Sequence, residues 1–61
     1  MLHKEFVVMD MRYIRYNIAV GDAIAQRLGL KSYPLSLFDN VVLRCYKLGY
    51  SVDTCANKSM P

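Results

Sequence analysis

Val7, Met11, Ile14, Ile18, Gly21, Ala25 and Leu28 follow one another at alternating steps of four and three, and this spacing constrains the chain more than any other feature. At about 100° per residue it keeps one stripe of a helix apolar. Lys4, Glu5, Arg12, Arg15, Asp22 and Gln26 gather on the opposite side. The spacing predicts a helix from about residue 5 to residue 29, closed by Gly29 as a C-cap glycine. A second helix is expected from about Pro34 to Leu48, with Ser32 or Ser36 as its cap and Gly49 as its stop. Its apolar positions are Leu35, Leu37, Phe38, Val41, Val42, Cys45 and Leu48. The fold class is all-α, a helical hairpin of long helix, turn and shorter helix. It forms one domain over residues 1–53, followed by a flexible C-terminal tail at 54–61.

Two alternatives stay open. Phe6, Val7 and Val8 favour extended backbone, so residues 5–9 can also be read as a short N-terminal strand with Asp10 capping the helix behind it. A break at Gly21 gives a three-helix bundle with helices near 5–19, 22–29 and 34–48, since a glycine inside a helix costs about 1 kcal/mol against alanine.

A chain of 61 residues buries only roughly 60% of the surface it exposes when unfolded, and such chains usually need a staple. With 54% of its residues hydrophobic and 21% charged, the composition is that of a folding chain. Two cysteines and one histidine are too few for an ordinary four-ligand zinc site, and no metal or cofactor is expected. Self-association remains. Phe6, Met9, Tyr13, Val20 and Ile24 widen the apolar stripe of the first helix. That helix, about 37 Å long, outreaches a second one of about 22 Å. A homodimer follows as the expectation. Val7, Met11, Ile14, Ile18, Ala25, Leu28, Phe38, Val42 and Cys45 form its dimer or core face.

The N-terminal residues do not read as an export signal, and no apolar run approaches the eighteen residues that span a bilayer. The chain is therefore expected in the cytoplasm, away from membranes, with Cys45 and Cys55 as thiols. The net charge of +3 mildly favours anionic partners.

Candidate chemistry is sparse. His3 stands alone near the terminus, the five acids form no dyad, and Gly21, Gly29 and Gly49 are too isolated for a phosphate loop. Cys45 reads as a small core hydrophobe. These observations point away from an enzyme and toward a small regulatory or adaptor protein that binds a larger protein, as accessory factors of phages and mobile elements do. Arg12, Arg15 and Tyr16 are the candidate handle, because arginine and tyrosine suit interface hot spots, while Tyr13 belongs to the core. The runner-up is a DNA-binding regulator of helix-turn-helix type over residues 23–49, with Gly29 in the turn. Lys31, Arg44 and Lys47 are its candidate nucleic-acid contacts. Ser32, Tyr33, Ser36 and Leu37 would then face the bases, a poor reading set.

Overall fold

The computed structural model describes residues 4–61, and among them contains four helices: α1 (Lys4–Val8), α2 (Met11–Leu28), α3 (Asn40–Leu48) and α4 (Val52–Ser59). None of the described residues lies in a strand, so the class is all-α and the strand reading of residues 5–9 is overturned. No helix among them is long and apolar enough to cross a membrane.

The single long helix expected over 5–29 is interrupted at Asp10. The Asp10 backbone is extended (φ −76°, ψ 124°), and its carboxylate accepts the Arg12 backbone N–H at 2.8 Å, which makes it the N-cap of α2. The Arg12 guanidinium returns to the same carboxylate at 2.9 Å, and these hydrogen bonds hold the Asp10 carboxyl below its ordinary range. A capping aspartate gains more by satisfying an orphan N–H than it would as an interior helical residue. At the other end Gly29 adopts the left-handed conformation (φ 70°) and stops α2 where expected.

Residues 30–39 form no helix, which moves the start of the second helix from Pro34 to Asn40. Proline biases the residue before it away from helical geometry, and the segment responds as extended chain does. Tyr33, Leu35 and Leu37 are half-buried, while Pro34, Ser36 and Phe38 between them are exposed. That is the two-residue alternation of extended backbone; at Leu37 and Phe38 the chain turns, with the Asp39 N–H donating to the Ser36 carbonyl at 3.1 Å, and Phe38 is left outside the core where a helical reading had put it. Ser36 caps nothing helical; its hydroxyl accepts the Phe38 backbone N–H. Asp39 takes the N-cap of α3, accepting from the backbone of Val41 at 2.9 Å and Val42 at 3.1 Å.

The extended segment lies across α2. Tyr13 donates its hydroxyl to the Leu37 carbonyl. Asn17, only 3% exposed, donates from Nδ2 to the Ser36 carbonyl at 3.0 Å and to the Tyr13 hydroxyl at 3.3 Å. Gly21 explains why α2 tolerates a glycine at mid-length: a Cβ there would stand 2.6 Å from the Tyr33 carbonyl oxygen. The helix runs through Gly21 unbroken, so the three-helix alternative with a break there is also overturned.

The tail expected at 54–61 is instead largely the helix α4. Ser51 is its N-cap, accepting the Thr54 backbone N–H at 3.1 Å. Cys55 and Ala56 are fully buried, and α4 makes its largest contact with α2. The core is Val7, Val8, Tyr13, Val20, Ile24, Val42, Leu43, Cys45, Cys55 and Ala56. Of the expected core face, Val7, Ala25, Val42 and Cys45 are buried and Ile14 is half-buried, but Met11, Ile18, Leu28 and Phe38 are exposed. The buried face of α2 is centred on Tyr13, Val20 and Ile24, well round the helix from the stripe that the spacing suggested.

Candidate nucleic-acid interface

Most of the chain's net positive charge lies in its C-terminal third. Asn40–Leu48 and Val52–Ser59 are joined by only three residues, and the first of them, Gly49, has a left-handed backbone (φ 76°) that turns the chain sharply. Its N–H caps α3 at the Cys45 and Tyr46 carbonyls. Ser51 then starts α4, and its hydroxyl also meets the Thr54 hydroxyl at 2.9 Å, which fixes the Thr54 side chain. The pair is locked from within. Cys45 on α3 and Cys55 on α4 are both buried free thiols, and burial pushes the Cys45 thiol up to about 11. Such a thiol stays protonated and serves as packing.

Tyrosines tie this unit to α2. The Tyr46 ring of α3 packs between Tyr13 at 5.3 Å and Tyr16 at 5.4 Å between ring centroids. Tyr16 donates its hydroxyl to the Tyr50 carbonyl at 2.9 Å. Burial raises the Tyr13 and Tyr16 hydroxyls above the ordinary phenol value. Tyr16 thus braces the α3–α4 turn and is half-buried, while Arg12 and Arg15 are exposed. Arg12 is closed onto Asp10, and Arg15 alone of the three stands exposed without a partner among the described residues.

Outward, α4 presents Asp53, Thr54, Asn57 and Lys58, with Thr54 and Asn57 on either side of the middle of the exposed arc. Asp53 is paired with Arg27 of α2 at 3.3 Å, which offsets its charge. The Lys58 ammonium lies 5.5 Å from the Tyr50 ring centroid. On α3, Arg44 and Lys47 are exposed beside a shallow groove of about 270 Å³ that Lys4 of α1 also lines. Lys4 is held there by its bond to the Asn40 side chain at 3.1 Å. Lys31 is exposed at the start of the extended connection and does not line that groove. Residues 40–61 carry Arg44, Lys47 and Lys58 against Asp53 alone, so +2 of the chain's net +3 resides there.

The helix-turn-helix unit expected over 23–49 does not form, because the ten non-helical residues 30–39 separate its two helices. A pair of short helices joined by a three-residue turn forms nearer the C-terminus, at Asn40–Ser59. The signal for it was present in the sequence: Val52, Cys55, Ala56, Ser59 and Met60 have helical spacing behind a Ser51 cap, and all five are buried or half-buried. Their small size kept the stripe from standing out. His3 lies outside the described residues. Among those described, no three histidine, cysteine, aspartate or glutamate side chains come together as a metal set. No family model, curated protein or solved structure matches this chain.

Proposed function

We propose that the protein binds duplex DNA through Asn40–Ser59, with α4 as the helix that enters the major groove and α3 lying across the backbone. The observation that carries this reading is the pair of short helices joined by a three-residue turn at a left-handed glycine, with the basic surplus gathered around it. Two-helix units of this kind place the N-terminal half of the second helix against base edges. There the exposed side chains are Asp53 and Thr54, with Asn57 three residues further along the same face. Asparagine can bond an adenine at N6 and N7 together, threonine can contact a thymine methyl, and aspartate can accept from cytosine N4. Arg44, Lys47 and Lys58 supply phosphate contacts, which position the unit without reading sequence.

Fluorescence anisotropy with labelled duplexes tests the proposal. About three phosphate contacts predict a loss of affinity of about fortyfold between 50 and 200 mM salt. Lys47→Ala should weaken binding to all sequences and lower the salt slope by about one, whereas Asn57→Ala should cost about 1–3 kcal/mol on the preferred sequence and flatten the preference. Absence of duplex binding at low salt would refute the reading.

A second reading, docking on a larger protein, has support in the apolar side chains exposed at Leu28, Leu30 and Phe38. Stoichiometric recovery of one protein from the native host, lost with Leu30→Glu, is its expected result. Recovery unchanged by that substitution counts against this surface.

A further inference from the structure

The outward face of α2 carries apolar and charged side chains in an order that is complementary to itself when reversed. Met11, Arg15, Ile18, Asp22 and Gln26 lie on that face, opposite the buried Tyr13, Val20 and Ile24. Met11 is 59% exposed and Ile18 56%. Arg15 and Asp22 are exposed, and neither has an ion-pair partner among the described residues. They cannot pair with each other, because seven residues of helix separate them by about 10 Å. Beside them runs a groove of about 420 Å³ between α2 and the extended segment, lined by Ile14, Ile18, Asp22, Tyr33, Leu35 and others.

We infer that this face is the seat of a second copy of the chain, with the two α2 helices antiparallel and crossing near Ile18. In a twofold contact each residue meets its image reflected through the crossing point. Crossing near Ile18 places Arg15 of each copy opposite Asp22 of the other, so two ion pairs flank a centre made of both Ile18 side chains and the apolar grooves beside them. A parallel pairing would set Arg15 against Arg15 and Asp22 against Asp22, and like charges in register oppose association. The charge order therefore selects both the partner and its direction. This inference stands apart from DNA binding, since the face lies on the side of α2 away from its buried contact with α4.

Charge exchange tests it without reference to any ligand. The wild-type chain should sediment as a dimer at tens of micromolar, and Ile18→Glu, at an exposed position, should leave the helical circular dichroism intact while yielding monomer. Arg15→Asp and Asp22→Arg should each weaken self-association by about tenfold or more. Mixed together, those two chains should form a heterodimer in preference to either homodimer, because each carries the charges the other then lacks. Native mass spectrometry reads the heterodimer directly when one chain is isotope-labelled. A wild-type chain that stays monomeric at hundreds of micromolar overturns the inference, as does a mixture of the variants with no heterodimer enrichment. A wild-type dimer that ignores both reversals places the contact elsewhere and overturns it equally.

Discussion

The two faces of α2 differ in a way that residue hydrophobicity alone does not describe. The inner face holds Tyr13, Asn17, Val20, Gly21 and Ile24, including an amide, a phenol and a residue with no side chain. The outer face exposes Met11 and Ile18 between Arg15 and Asp22. What admits polar groups to the inner face is that each has a partner: Asn17 and Tyr13 bond the carbonyls of Ser36 and Leu37, and no buried side-chain nitrogen or oxygen among the described residues is left unbonded. Burial of a polar group is cheap when its hydrogen bonds are made and costly when they are not. Exposure of an isoleucine, by contrast, is commonplace. Which side of an amphipathic helix becomes the core is therefore decided by what the neighbouring segment can satisfy as well as by which side is greasier.

That contrast can be broken most severely at Ile24. It is fully buried, and Ile24→Ala should destabilise the fold by about 2–5 kcal/mol in urea unfolding. Next comes Gly21→Ala. Helix propensity alone favours alanine by about 1 kcal/mol, yet the added methyl must push the Tyr33 carbonyl away from α2, so a net loss of about 1–3 kcal/mol is expected. A net gain in stability would show that the extended segment is not pressed against the helix there. Tyr13→Phe removes the donor to Leu37 and one acceptor for Asn17, and should cost about 1–2 kcal/mol while preserving the ring packing with Tyr46.

The inner side is also where alkali should act. The Cys45 thiol sits at about 11 in the fold against an ordinary 9.0, and the buried phenols of Tyr13 and Tyr16 are raised in the same direction. The unfolded chain gives up these protons first. Stability is thus fully present below about pH 9, and should fall as pH rises from there through about 11. Urea midpoints measured at pH 8, 9.5 and 10.5 should decline in that order. The smallest effect belongs to the outer face. Ile18→Ala should change the stability of the monomer, at low protein concentration, by no more than about 0.5 kcal/mol.

Much of the helical content was legible in the sequence because it rests on local chemistry. Gly29 and Gly49 end helices where left-handed glycines are expected, and Asp10 marks the start of α2 in the reading that made it a cap. The phase of the core was not legible, because Met11, Ile14, Ile18 and Leu28 compete with Tyr13, Val20 and Ile24 as apolar stripes of similar strength. The tie is broken by the extended segment, whose contacts with α2 span some twenty residues of sequence. That segment carried its own signal in the alternation of Tyr33, Leu35 and Leu37, which a helical reading of Leu35, Leu37 and Phe38 passes over. The candidate interface divides likewise. Arg44 and Lys47 were visible as charges, whereas Thr54 and Asn57 became candidates only once Cys55 and Ala56, small residues near the chain end, were found holding α4 in the core.

Backbone amide shifts in a titration of the labelled protein with a duplex bring the two sides of the molecule into one measurement. The largest perturbations should fall at residues 51–58 and around Arg44 and Lys47, with the outer face of α2 at Met11, Arg15, Ile18 and Asp22 unmoved. Perturbations centred on that outer face, or none anywhere at low salt, would contradict DNA binding through Asn40–Ser59.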